Sequence, residues 1–263
     1  MLRMMFGELR KLRRKTLLVP TLIGVALLTA FFTSFVFLRV ETGKPNGARG
    51  VLITNEFLSG KNGLVYGFQI MGFFLGIVAL CVFASQTAQE YSLGTLRNIL
   101  VRQPARLKVL LGKYLAMAFF TIWLEVVAAV FALSISFALA PRSAISTSAW
   151  LTTSGLQLLG ETFINIFLGT LAFGTLGMIL GLLFRSPITS ISIGVLWCLI
   201  LENILGAVIS STTKWLPGAN FANISQGGTS IISYQRSLAT SGSYLLFGAI
   251  VVGILFKKRD VSN

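Results

Sequence analysis

Long apolar runs alternate with short polar segments along the chain. Six runs approach or exceed the roughly 20 apolar residues that carry a helix across a bilayer. They predict spans at about 17–38, 64–84, 109–140, 159–184, 188–209 and 239–256. The third is long enough to tilt or to extend beyond the lipid. Residues 1–16, MLRMMFGELRKLRRKT, place Leu2, Met5, Leu9 and Leu12 near one helical face and basic residues on the rest. That pattern predicts an amphipathic helix in the headgroup region. A secretory signal peptide is the competing reading, but the following apolar run is long and no clear small-x-small cleavage site follows it. Between the second and third runs, residues about 86–102 form another helical pattern. Leu93, Leu96 and Leu100 recur on one face, with Gln89, Glu90, Arg97, Asn98 and Arg102 largely elsewhere, and Pro104 ends the segment. On pattern alone it is either a surface helix resting on lipid headgroups or a docking element.

The predicted fold class is therefore all-α: a polytopic membrane protein with six transmembrane helices, an N-terminal interfacial helix and a helix between spans two and three. Residues 17–256 form the transmembrane domain and 257–263 a short tail. Composition agrees, with 54% hydrophobic residues and a mean hydropathy of +0.81, more apolar surface than a soluble core hides.

The formal charge of +14 would suggest nucleic acid in a soluble protein. In a membrane protein, lysine and arginine set topology instead. Segments 1–16, 85–113, 185–187 and 257–263 carry 15 Lys/Arg, against 7 in the longer set 39–63, 141–158 and 210–238. The denser set belongs in the cytoplasm with both termini, in a plasma-membrane protein whose surroundings are lipid and not nucleic acid.

Candidate chemistry is sparse. There is no His, and the single Asp is Asp260, so neither a metal site nor histidine-based acid–base catalysis is expected. Cys81 and Cys198 lie inside apolar runs and read as packing residues. Gly72 with Gly76, and Gly177 with Gly181, share helix faces and let another helix approach, within the chain or in a dimer. Glu125, Glu161 and Glu202 fall in or beside spans. An acid in lipid costs roughly 2.5–3.5 kcal/mol on insertion scales and so faces protein or water. Glu125 and Glu202 are candidates for a substrate or proton path, or for structural hydrogen bonds. Glu161 fits the structural role better. Segment 210–238 is long enough to fold partly back toward the outer leaflet.

The residue order QEYSLGTLRNILVRQPARLKVLLGKYLA resembles the signature region of ABC-2 type permeases, the membrane subunits of many ABC transporters. The matching positions are Glu90, Gly94, Thr95, Leu96, Leu100, Pro104, Arg106, Gly112 and Lys113. The basic N-terminal helix, six spans, Leu216-Pro217 in the last outer loop and the terminal Phe256–Asp260 run add support along the whole chain. The resemblance implies that 86–102 is a coupling helix docked on a separate cytoplasmic ABC ATPase. It casts Glu90, Tyr91, Gly94, Thr95, Leu96, Arg97, Pro104, Arg106 and Arg185 as ATPase-coupling residues, with Glu90 paired to a basic residue of that partner, in the open or desolvated in its groove, and Arg185 in a second contact at 185–187. It further implies two ATPase copies that hold ATP and Mg, and a second permease chain, a homodimer by default or a heterodimer. No Gly-Lys pair here is followed by Ser or Thr with the spacing of a phosphate-binding loop. The chain itself is thus expected to hold no cofactor and to have no ATPase activity. The leading function is export of an amphipathic substrate such as a peptide antibiotic, drug or lipid. An ion-gradient carrier with an intramembrane glutamate as proton site is the alternative, and a membrane-embedded enzyme fares worst.

Overall fold

The computed structural model describes residues 2–40, 53–102 and 105–258. The regular secondary structure of the described residues is all helical, and six helices are long and apolar enough to cross a membrane. The first span is α2 (Lys15–Arg39), preceded by α1 (Leu2–Leu12). A five-residue helix α3 (Asn55–Ser59) leads into the second span, α4 (Asn62–Ser92). A short helix α5 (Thr95–Arg102) precedes the third span, which is α6 (Arg106–Leu139) and a following 3-10 turn. The fourth is α7 (Thr153–Phe184). The fifth runs through α8 (Pro187–Leu196), five π-helical residues at Trp197–Leu201, and α9 (Glu202–Val208). Helix α10 (Pro217–Ser225) precedes the sixth span, which lies in α11 (Tyr234–Lys258).

Local chemistry sets several of these ends. The Thr152 hydroxyl accepts the Gly155 N–H at 3.3 Å to cap α7. Arg185 ends that helix in the left-handed region, φ 55°, and Ser186 with Pro187 opens α8 at once. The second span is longer than its apolar run. It continues through Gln86, Thr87, Ala88 and Glu90 because Thr87, Ala88 and Glu90 are buried against neighbouring elements. The helix expected at 86–102 is accordingly divided. Its first half is the last two turns of α4, and its second half is α5. The break falls at Gly94, whose φ of +66° suits glycine above other residues.

Helices α4 and α7 are the most buried spans and pack along one another. Their glycines make this possible. A Cβ at Gly177 would strike the Leu80 backbone, one at Gly181 would lie 2.8 Å from the Ala84 carbonyl oxygen, and one at Gly76 would enter the Phe173 ring. The paired glycines thus serve packing inside the chain. Around this pair, Leu27 and Phe31 of α2, Ile188 of α8 and Leu246 and Phe247 of α11 point outward, exposed. Such an apolar exterior fits lipid as solvent.

Candidate functional site

The basic segments converge at one end of the bundle. There α1, the last turn of α4 and the first turns of α6 meet in a closed ring of four charges. Lys11 Nζ lies 2.6 Å from Glu8 Oε1 and 2.9 Å from Glu90 Oε1. Lys113 Nζ lies 3.3 Å from Glu8 Oε2 and 2.8 Å from Glu90 Oε1. Lys113 also donates to the Gln86 carbonyl at 2.9 Å. Two acids and two bases leave the ring neutral, which lessens the cost of burying it. The Lys113 side chain is 5% exposed and that of Glu90 10%. Burial lowers the Lys11 pKa, but hydrogen bonds and charge from Glu8 and Glu90 outweigh it, so the net shift is upward.

Sequence patterning positions each member. Glu8 and Lys11 are three apart on α1 and share a face with buried Met5 and Leu12. Gly112 lets that face approach α6, since a Cβ there would lie 2.9 Å from the Met4 Cβ. Lys113 follows at once and reaches the ring. The helix expected to rest on headgroups is therefore docked on α6 through its apolar side, while Arg10, Arg13 and Arg14 remain exposed.

Other residues singled out in the sequence gather nearby. The Arg185 guanidinium sits 5.2 Å from the centre of the Tyr91 ring, which joins the α7–α8 turn to the end of α4. Arg106 donates to the Phe256 carbonyl at 2.9 Å, tying the start of α6 to α11. Leu96 is buried, while Gly94 and Thr95 are exposed at the turn. The Thr95 hydroxyl lies 3.5 Å from the Glu90 carbonyl. The backbone of Arg97 is in α5, and Pro104 lies outside the described residues. Glu90, expected to open a separate helix, stands instead in the last turn of α4. Continuation of α4 to Ser92 turns its carboxylate inward, onto Lys11 and Lys113. Sequence reasoning missed Glu8, although it is the one acid in a basic amphipathic helix and stands three residues before Lys11.

A cavity of about 580 Å³ adjoins the ring, bordered by Lys11, Arg14, Gln86, Gln89 and Glu90. A second, of about 810 Å³, is lined by Tyr66, Gln69, Phe73, Phe74, Glu202 and Asn203 among others. Glu202 has a structural task at its edge. Its two carboxylate oxygens accept the N–H groups of Gly218 at 2.8 Å and Ala219 at 2.7 Å, capping α10 from another helix. Segment 210–238 does fold back: α10 buries Asn220, Phe221, Asn223 and Ile224 against α7 and α11. Glu125 differs from every other acid described. It is fully buried in α6, and neither carboxyl oxygen has a hydrogen-bond partner among the described residues. Glu161 is exposed and accepts from Gln157 at 3.2 Å. Among the described residues, no group of three His, Cys, Asp or Glu side chains converges to hold a metal.

No curated protein matches the chain. One family model, described as "Protein of unknown function (DUF2705)", matches residues 49–262. The match takes in α3 to α11, with Glu90 and Lys113 of the ring, while Glu8 and Lys11 precede it. The six-span helical membrane protein built around this ring therefore belongs to the DUF2705 family.

Proposed function

We propose that this chain is the permease subunit of an ATP-driven transporter of the ABC-2 type, exporting an amphipathic substrate. The observation that carries the reading is the ring at the α4–α5–α6 junction. Glu90 and Lys113 bracket α5, and their bonds to α1 make the junction one mechanical unit. A push on α5 by an ATPase partner would reach α4 and α6 together, without slack between them. The Tyr91–Arg185 contact extends the unit to the α7–α8 turn. Tyr91, Gly94, Thr95, Leu96, Arg97, Pro104, Arg106 and Arg185 then belong to the coupling region, with Glu90 as its internal tie. The working assembly has two ATPases, which hold ATP and Mg, and two permease chains, alike by default. Basic segments and both termini face the cytoplasm.

The test is reconstitution. Purified chain in lipid turns over no ATP, and a co-expressed ABC ATPase both co-purifies with it and gains substrate-stimulated turnover. Glu90→Lys, assayed at matched folded protein, loses that stimulation. ATP turnover by the pure chain, or wild-type stimulation in Glu90→Lys, contradicts the reading.

One observation favours a second reading. Glu125 is a buried acid with no hydrogen-bond partner among the described residues, as a proton site of an ion-gradient carrier would be. Uptake or efflux in vesicles without any ATPase, driven by a pH gradient and lost in Glu125→Gln, would select that mechanism.

A further inference from the structure

The cavity beside the charged ring has a divided lining. Arg14, Thr16, Gln86 and Gln89 offer hydrogen-bond donors. Leu17 and Leu93 offer apolar surface, and Leu93 is 65% exposed. Its position is set by the spans. Leu17 begins the apolar run of α2, and Leu93 directly follows the last residue of α4. The cavity thus lies where hydrocarbon-facing helix gives way to polar chain, the level of lipid headgroups.

Charge narrows the occupant. Lys11 is already neutralised, since the ring it joins holds two carboxylates and two ammonium groups. Arg14 is exposed on the cavity wall and pairs with no carboxylate among the described residues. It stands at the N-cap position of α2, but its side chain makes no capping hydrogen bond there. A guanidinium held beside hydroxyl and amide donors suits phosphate, which it can bind with two parallel hydrogen bonds. Arg10, Arg13 and Lys15 are exposed on the same stretch of chain outside the cavity lining, and add a diffuse attraction for an anion.

We propose that this cavity binds the phosphate headgroup of an anionic phospholipid from the adjoining leaflet. Arg14 pairs with the phosphate, Thr16 and the two glutamines donate to its remaining oxygens, and an acyl chain runs along Leu17 and Leu93. The apolar lining and the position at headgroup level favour lipid over soluble phosphate. The inference stands apart from the transport reading, because it needs neither an ATPase nor a cargo.

The experiment is thermal unfolding of the purified chain in neutral detergent, titrated with phosphatidylglycerol or phosphatidylcholine. Phosphatidylglycerol raises Tm and saturates, while phosphatidylcholine does so weakly. Arg14→Gln weakens the apparent affinity by about tenfold or more, the worth of a hydrogen bond to a charged group. Arg10→Gln removes the same charge away from the cavity and costs at most about fivefold, the diffuse share of one basic residue. Both positions are exposed, so both variants fold. Inorganic phosphate and glycerol phosphate leave Tm unchanged. The proposal fails if the two lipids act alike, if phosphatidylglycerol has no effect, or if Arg10→Gln and Arg14→Gln weaken binding equally. A shift reproduced by inorganic phosphate alone also defeats it, since that marks a free-anion site.

Discussion

Glu90 shares one oxygen between two ammonium groups, and this alters what its removal should do. As an exposed acid it would be worth only about 0.2–1 kcal/mol. Inside the ring, Glu90→Ala leaves the buried Lys113 with Glu8 and the Gln86 carbonyl as its remaining partners. We expect destabilisation of about 2–5 kcal/mol, read as a lowered Tm in detergent. The double variant Glu90→Met with Lys113→Met should recover much of it, because no lone charge is then buried. A single variant melting with the wild type would show that the ring contributes nothing. Glu125 calls for the opposite expectation. Its carboxyl is buried without a partner among the described residues, so Glu125→Met should leave Tm unchanged or raise it. If the same variant also abolishes transport, the acid serves function at some cost in stability. A large fall in Tm would mean that the carboxyl is bonded after all.

At the scale of elements, α4 and α7 are held close by glycine, and the two glycine classes in α7 behave differently. A side chain at Gly177 would collide with the Leu80 backbone, which cannot swing aside. Gly160 faces open space, and a methyl group there would meet nothing within 4 Å. Gly177→Ala should therefore lower Tm markedly. Gly160→Ala should be neutral or gain up to about 1 kcal/mol from helix propensity. Equal effects at the two sites would argue that α4 and α7 do not pack as described. Element type was legible in this chain because each span carries its own apolar run. The end of α4 was not. Its last turns are polar by composition, and they stay helical through what they touch: buried Thr87 and Ala88 and the paired Glu90. Periodicity cannot distinguish a polar helix that continues a span from one that begins after it.

For the whole molecule, the charge split and the converging basic segments lead to one topological expectation. Ser92→Cys and Ser148→Cys, each exposed, stand on segments of opposite predicted sidedness. The native Cys81 and Cys198 lie within spans, half-buried and buried, and give a low background. An impermeant thiol reagent applied to whole cells should label Ser148→Cys and spare Ser92→Cys until the membrane is opened. The reverse order would invert the molecule.

The number of spans, the helical class and the basic end were set by local sequence, because hydropathy over some twenty residues and the density of lysine and arginine need no knowledge of neighbours. Glu90, Gly112 and Lys113 stand out in the sequence only by their order along the chain, and their contacts do not. Only the tertiary structure brought Glu8 from α1, Glu90 from α4 and Lys113 from α6 into one ring, since no local pattern encodes a meeting of residues that are far apart in the chain. It likewise separated three acids that look alike in sequence. Glu202 caps α10, Glu161 bonds to Gln157 near the surface, and Glu125 lies buried without a partner among the described residues. The residue type is the same in all three, and the environment that decides the role of each is supplied by other helices.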